Sequence, residues 1–197
     1  MTRKIRLGAF LPGGGQHIAA WRHPDQPADG ATSLAFHADL AREAERGLFD
    51  AYFLADGLAV AFGGGTEGGN AKVAGFEPVT LFAALTPLTR NLGFIATAST
   101  TYEEPYNTAR KFASLDLISD GRAGWNVVTT DNAWTGENFR RGGYLPQQDR
   151  YVRAKEFLDA AVHLWDSWRD DGQFSYRSSQ FDIHGQFPLP RPPQGRP

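Results

Sequence analysis

Polar side chains stand at the carboxyl end of each short apolar run of this chain, and they are the first candidates for chemistry. His17 follows the first run, Asp56 follows the second, and the third and fourth runs end around Thr97 and Asn126. In parallel α/β proteins the carboxyl edge of the sheet is where ligands bind, because the loops meet there over a rigid sheet. These four residues are therefore candidate ligand contacts.

Each of these residues also has a structural explanation. A loop histidine such as His17 is more often solvated than functional, although a neutral imidazole there can act as an acid–base group. Thr97 serves equally well as a cap or turn residue. Capping explains Asp56 poorly, since the next predicted helix begins about twenty residues later. Asn126 lies inside an apolar strand, where an unpaired polar group costs roughly 1–3 kcal/mol, so it needs a partner.

The composition and the motifs argue against several other classes of protein. The sequence has no cysteine, which excludes disulfides, thiolate metal sites and cysteine nucleophiles. His17 and His23 have no carboxylate pair at metal-ligand spacing, and no Gly-x-Ser-x-Gly hydrolase motif is present. The net charge of -2 gives no general attraction to nucleic acid or to an anionic membrane.

Two further patterns bear on where the protein works. No apolar run approaches the roughly 20 residues that a membrane span needs. The apolar stretch behind the basic N-terminus is too short for a signal peptide. We therefore expect a cytoplasmic protein that binds neither nucleic acid nor a membrane.

The apolar runs alternate with helical patterns four times. Helices are predicted over 33–46, 78–90, 107–118 and 150–168, and a glycine-rich loop with Gly63–Gly65 and Gly68–Gly69 precedes the second. Strands that are apolar on both faces and alternate with helices predict a parallel sheet. A doubly wound sheet and the first half of an eight-stranded barrel both fit this order. The triple glycine at 13–15 lies 18 residues before the first helix, which disfavours a dinucleotide-binding motif.

Longer sequence stretches carry a family resemblance. Residues 97–116 (TASTTYEEPYNTARKFASLD) and 119–130 (SDGRAGWNVVTT) closely resemble the bacterial luciferase-like, FMN-dependent monooxygenases. The similarity is to the branch of nitrilotriacetate, pristinamycin-synthase and dibenzothiophene-sulfone monooxygenases. The loop GQH…AWRHP, the segment FLADG, Asn138–Phe139 and the helix start DRY…AKEFL fit the same pattern, so the resemblance covers nearly the whole chain.

The resemblance implies a fold. It is an α/β (β/α)8 TIM barrel of the luciferase-like type, of which this chain supplies about the first four βα units plus an insertion hairpin. Residues 1–197 then belong to a single domain, the N-terminal half of the barrel, and residues 169–197 carry the hairpin and a Pro-rich tail. Because half a barrel exposes strand edges and apolar surface, we expect a homo-oligomer.

The resemblance also implies a function. The protein would take reduced FMN (FMNH2) from a separate NAD(P)H:flavin reductase and insert one atom of O2 into a small organic substrate. Position by position, Asp56 would lie beside the isoalloxazine and Thr97 would hold polar atoms of the ring or ribityl chain. Tyr151 would approach the ribityl phosphate, and His17 would face the substrate side of the flavin as the catalytic residue.

Asn126 is expected to contact the cofactor, as is Gln147, which stands where the family usually has a histidine and can donate a hydrogen bond without carrying charge. Apolar walls would come from Phe10, Trp21, Phe53 and Trp125. One alternative is a truncated, non-catalytic flavin-binding or assembly fragment. The other is an unrelated barrel hydrolase that uses Asp56 and His17.

Overall fold

The computed structural model describes residues 4–17, 19–59, 75–139 and 144–197. The predicted glycine loop with Gly63–Gly65 and Gly68–Gly69 lies outside the described residues. Four strands form one sheet in the order β1-β2-β3-β4, and β1 pairs in parallel with β2, as β2 does with β3. These strands are β1 Gly8–Phe10, β2 Ala51–Leu54, β3 Gly93–Ser99 and β4 Ala123–Val128.

Helices follow the strands, as the sequence predicts. They are α1 Leu34–Arg46, α2 Pro78–Leu85, α3 Pro105–Ser119, the short α4 Ala133–Gly136 and α5 Gln147–Asp166. An antiparallel hairpin of β5 Gln173–Arg177 and β6 Asp182–Gln186 confirms the hairpin prediction. The chain divides into two compact units, Met1–Ala96 and Thr97–Pro197.

In the first unit, side-chain caps fix where the helices begin. The Ser33 hydroxyl accepts the Phe36 amide at 3.3 Å and starts α1, while the Glu77 carboxylate accepts the first amides of α2. The predicted second helix runs five residues too far. It ends at Leu85 because Pro87, which lacks an N–H, turns the chain into a short 3₁₀ helix at Thr86–Leu88.

In the second unit, β4 packs its apolar side chains against two helices. The Trp125 ring lies 5.4 Å from Phe112 of α3 and 5.8 Å from Phe157 of α5, centroid to centroid. Its Nε1 donates to the Ala98 carbonyl at 3.2 Å. Trp125 therefore belongs to the core beneath the helices, and its expected part as a ligand-pocket wall is wrong.

Helix α5 begins three residues before its predicted start. Its buried residues include Phe157, Ala161 and Trp165, whereas Tyr151 and Leu158 are exposed. None of the helices in the described part of the chain is long and apolar enough to cross a membrane.

Candidate functional site

The second unit brings two of the predicted site residues into direct contact. Asn126 Nδ2 donates to Thr97 Oγ1 at 3.0 Å, which joins the two residues across β3 and β4. Thr97 is buried, and Asn126 is half-buried. Successive residues of a strand point to opposite faces, so Asn126 faces away from the helix-side core that holds its neighbour Trp125. Thr97 is therefore the hydrogen-bond partner that Asn126, as a polar residue within an apolar strand, was expected to need.

Hydroxyl groups continue this polar edge beyond the strand ends. Ser99 Oγ and Thr130 Oγ1 are 2.7 Å apart, and the Thr101 hydroxyl donates to the Thr129 carbonyl at 2.7 Å. Thr130 has a φ of 34°, a left-handed conformation that is costly for a β-branched residue. Strain of this kind is retained where the surroundings over-determine the backbone, which is common at ligand-binding positions.

A buried arginine adjoins this strained residue. Arg150, on the first turn of α5, is only 5% exposed. Its Nη1 donates to the Thr130 carbonyl at 2.9 Å and to the Tyr144 hydroxyl at 3.2 Å, and its guanidinium lies 5.1 Å from the Tyr144 ring centroid. We call Thr97, Ser99, Asn126, Thr130 and Arg150 the polar rim.

Among the described residues, no acidic side chain forms an ion pair with Arg150. Its buried Nε has no hydrogen-bond partner in this part of the chain. A buried cation with an unused donor is costly unless an anion comes to it. The arrangement therefore suits an anionic ligand.

The remaining predicted contacts of the second unit lie on the same turn of α5. Gln147 begins the helix and Tyr151 follows Arg150 directly, and both are exposed. The first turn of a helix has unpaired amides and a partial positive charge, which favour a negatively charged ligand group. Gln147, Arg150 and Tyr151 thus present amide, guanidinium and phenol donors from one short segment.

Sequence reasoning missed Arg150, although a signal was present. Positions 150, 154, 157 and 161 follow the helical repeat that buries Phe157 and Ala161. An arginine in line with a buried helix face is unusual, since arginine is almost never buried unless it is paired. Reading that stripe residue by residue would have identified it.

The first unit holds Asp56 and His17. Asp56 is half-buried in the loop after β2, and His17 is exposed in the loop after β1. His17 Nδ1 accepts the Ala19 amide at 3.1 Å. In a hydrolase pair, the carboxylate accepts a hydrogen bond from a protonated Nδ1. Because Nδ1 of His17 instead accepts the Ala19 amide, this geometry removes the support for a His17–Asp56 pair.

The loop that carries His17 is tied at both ends by a buried pair on α1 and β2. The Tyr52 hydroxyl donates to the Leu11 carbonyl at 2.9 Å and lies 2.8 Å from His37 Nδ1, while His37 Nε2 lies 3.4 Å from the Ala31 carbonyl. Burial lowers the pKa of His37 and raises that of Tyr52, so both side chains are neutral near pH 7.

Residues of the same loop line an open surface hollow of about 670 Å³. Its polar lining side chains are His17, Arg22, His23, Asp25 and Gln26. Among the expected apolar walls, the rings of Phe10 and Phe53 are 4.8 Å apart, and the side chain of Trp21 lies outside the described part.

Parallel strands that alternate with helices, with polar residues at the carboxyl ends of the strands, are the arrangement of part of an α/β barrel. Residues 15–197 match the family model described as luciferase-like monooxygenase. The chain belongs to this family, as the sequence resemblance predicts.

Known relatives agree with this assignment. The chain is 42% identical to the N-acetyl-S-(2-succino)cysteine monooxygenase of Bacillus subtilis (strain 168), over 99% of this chain and 47% of that protein. It is 39% identical to the nitrilotriacetate monooxygenase component A of Aminobacter aminovorans, over 100% of this chain and 49% of that protein. The crystal structure of a long-chain alkane monooxygenase superposes with a TM-score of 0.87 at 30% identity, over 100% of this chain and 51% of that one. The chain thus spans about half the length of these relatives.

Proposed function

We propose that this protein is an FMN-dependent monooxygenase that inserts one atom of O2 into a small organic substrate. The observation that carries the proposal is Arg150, a buried guanidinium with an unused Nε donor on the first turn of α5. An FMN phosphate is a dianion that matches both the guanidinium and the helix terminus. Reduced FMN, when bound, supplies the electrons with which O2 is activated.

The residues of the second unit fit such a cofactor. Arg150 and Tyr151 would hold the phosphate, with Gln147 as a neutral donor beside them. Thr97 and Asn126 would bind polar atoms of the ring or ribityl chain. Because Asn126 uses Nδ2 on Thr97, its Oδ1 serves as an acceptor toward a ligand N–H or O–H.

Asp56 and His17 keep the parts that the family resemblance gives them. Asp56 would contact the isoalloxazine ring. His17 would act toward the substrate as a hydrogen-bond donor, because the Ala19 amide occupies Nδ1 and the proton of the neutral ring therefore sits on Nε2. The paired rings of Phe10 and Phe53 would help to exclude water.

The proposal extends to the partner proteins and the cellular location of the protein. The relative from Aminobacter aminovorans is named component A, which is typical of an oxygenase that works with a separate protein. We propose an NAD(P)H:flavin reductase as the source of FMNH2, a homo-oligomeric oxygenase, and a cytoplasmic location.

Anaerobic titration of the purified full chain with FMNH2, followed by addition of O2 and nitrilotriacetate as the probe substrate, tests this function. We expect saturable FMNH2 binding and incorporation of one ¹⁸O atom from ¹⁸O2 into the product. Absence of FMNH2 binding contradicts the proposal. Binding without any oxygenated product favours the alternative of a non-catalytic flavin-binding or assembly fragment.

A further inference from the structure

We propose that Arg153 is a positioning residue for the polar rim, and that the hairpin of β5 and β6 holds it in that role. The inference rests on the proposed function, because the polar rim is the part of the molecule proposed to bind the flavin. The guanidinium of Arg153 connects three elements of the second unit, namely α5, the loop after β3 and the turn of the hairpin. The hairpin would thereby influence the geometry of the flavin site.

Arg153 binds the loop after β3 through two backbone carbonyls. Its Nε donates to the Thr100 carbonyl at 2.9 Å, and its Nη2 donates to the Glu103 carbonyl at 3.1 Å. The side chain is only 14% exposed, so water competes little for these bonds. The Glu104 carboxylate lies 3.8 Å from Nη2 but is exposed, and an ion pair of this kind contributes little. The position of the loop therefore depends more on the planar fork of the guanidinium than on its charge.

The same loop is bonded to the end of β4. The amide and the hydroxyl of Thr100 both donate to the Val128 carbonyl, at 2.9 Å and 3.1 Å. Ser99, the residue before Thr100, is hydrogen-bonded through its hydroxyl to that of Thr130 at 2.7 Å, and both belong to the polar rim. A displacement of Thr100 would therefore disturb the spacing of these two rim residues.

Helix α5 holds both strand ends. Arg150 donates to the Thr130 carbonyl, and Arg153, three residues later, donates to the Thr100 carbonyl. Residues three apart in a helix are neighbours on its surface, so one side of α5 fixes the segments that follow β3 and β4. Arg150 is proposed to hold the flavin phosphate, whereas backbone carbonyls occupy Nε and Nη2 of Arg153. Arg153 thus acts on the flavin through the rim.

The hairpin fixes the orientation of the Arg153 guanidinium. The Cζ atom of Arg153 lies 4.6 Å from the ring centroid of Phe181, which is a cation–π contact. Phe181 is buried in the turn of the hairpin, and its ring packs edge-on against Phe157 of α5 at a centroid distance of 5.8 Å. The guanidinium plane is therefore supported by a side chain that is itself fixed in the core.

A second residue of α5 keeps the turn of the hairpin in place. Glu156, three residues after Arg153, accepts the Ser179 hydroxyl and the Gln180 amide with its carboxylate, both at 2.8 Å. Both donors belong to the turn that carries Phe181. The ring is thus held beside the guanidinium and restricts its rotation, which preorganises the two hydrogen bonds of Arg153.

Substitutions at both ends of this contact in the full chain test the inference. Arg153→Lys keeps the charge but removes the planar fork, and Phe181→Leu keeps an apolar side chain but removes the ring. Each should weaken FMN and riboflavin by the same factor of about threefold to tenfold, because the rim contacts the part that the two flavins share. The matched controls, which should keep the wild-type affinities, are Arg177→Lys at an exposed arginine of β5 and Phe174→Leu at a buried ring of β5.

The spectrum of the bound flavin separates positioning from general support of the fold. At saturating riboflavin, the visible circular dichroism of the bound ring should change in Arg153→Lys and in Phe181→Leu. It should stay as in the wild type in Phe174→Leu, although loss of that buried ring also lowers the stability, which urea denaturation measures. A wild-type spectrum in both test variants, or wild-type flavin affinity in Arg153→Lys, would overturn the proposal.

Amide hydrogen exchange in the absence of flavin separates this inference from the function on which it rests. The Thr100 amide, which donates to Val128, should exchange at least about threefold faster in Arg153→Lys and Phe181→Leu than in the wild type or in Phe174→Leu. Faster exchange in a chain that binds no flavin defeats the proposed function alone. Flavin binding together with unchanged exchange in both test variants defeats the role of Arg153 alone.

Discussion

At the scale of single residues, Arg150 decides whether the polar rim binds a phosphate. Arg150→Gln should lower FMN affinity about tenfold or more while riboflavin, which lacks the phosphate, binds as before. Fluorescence titration with both flavins measures the difference. Arg110→Gln, at an exposed residue of α3, is the control and should change neither affinity. An equal loss for both flavins would show that Arg150 acts only by supporting the fold.

His37 gives a prediction about pH. Its pKa is lowered by burial from the ordinary value of 6.5, so below about pH 6.5 the unfolded chain takes up a proton that the folded chain does not. The free energy of unfolding should therefore fall as the pH drops from 7 toward the folded-state pKa. This loss should be smaller in His37→Gln, which has no imidazole to titrate, whatever its stability at pH 7.

Urea denaturation at pH 7.5 and pH 5.5 measures this pH dependence. His184→Gln, at an exposed residue of the hairpin, serves as the control and should keep the wild-type difference between the two pH values. If His37→Gln also keeps the full difference, other groups cause the acid sensitivity.

At the scale of elements, the residue that ends α3 has a strained backbone conformation, which a substitution can relieve. Asp120 follows the helix in a left-handed conformation with a φ of 55°, and its carboxylate faces the negative end of the helix dipole. Asp120→Gly should raise the free energy of unfolding by about 0.5–1 kcal/mol, since glycine adopts this conformation without strain.

Thermal denaturation of three proteins separates strain from charge at this helix end. Asp120→Asn removes the charge but keeps the Cβ, so its gain should be smaller than that of Asp120→Gly. If the asparagine variant matches the glycine variant, the dipole explains the whole effect. A lower Tm for Asp120→Gly than for wild type would refute the strain argument.

Elements with strong local signals in the sequence were the predictable ones. The start of α1 at Ser33 and the order of strands and helices were predictable, because capping and apolar periodicity act over a few residues. The end of α2 was placed too late even though Pro87 marks it. The first apolar run of the sequence spans Ile5–Leu11, but β1 covers only Gly8–Phe10, and Ile5 is 86% exposed.

The candidate site was less predictable than the fold, because it depends on contacts between distant residues. The hydrogen bond between Thr97 and Asn126 joins residues that are 29 positions apart in the sequence. The residues around Thr130 give no indication of its left-handed backbone conformation. The hydrogen bond at His17 Nδ1 depends on the backbone amide two residues further along the chain. Positions of polar residues at strand ends are a sequence property, whereas their partners and protonation states are properties of the folded chain.

At the scale of the whole molecule, contacts over long sequence separations hold each unit together. In the first unit, one carboxylate oxygen of Glu45 accepts the amides of Arg90, Asn91 and Leu92, and so joins the end of α1 to the start of β3. In the second unit, Asp116 of α3 is fully buried, and its donors come from β4 and from the C-terminal tail. These two carboxylates fix connections that no local pattern specifies.

The tail contact at Asp116 provides a prediction for the second unit. Gln194 Nε2 donates to Asp116 Oδ1 at 2.6 Å and to the Ala123 carbonyl at 2.8 Å, which spans 78 residues of sequence. Gln194→Ala leaves a buried carboxylate and a carbonyl short of a donor, so the free energy of unfolding should fall by about 1–3 kcal/mol. Urea denaturation measures this loss, and limited proteolysis should show faster cleavage of the tail.

The control for this contact is Gln180→Ala, because the exposed Gln180 uses its backbone amide, and that bond to Glu156 survives the substitution. Arg196, which pairs with Asp166, would still hold the tail in the Gln194 variant. Adding Arg196→Ala to this variant should therefore speed cleavage of the tail further. The free energy of unfolding should change much less, because such an exposed ion pair contributes little to stability. If Gln194→Ala unfolds at the wild-type urea concentration, the Gln194 side chain does not stabilise the fold, and the amides of Ala123 and residue 194 suffice for the buried carboxylate.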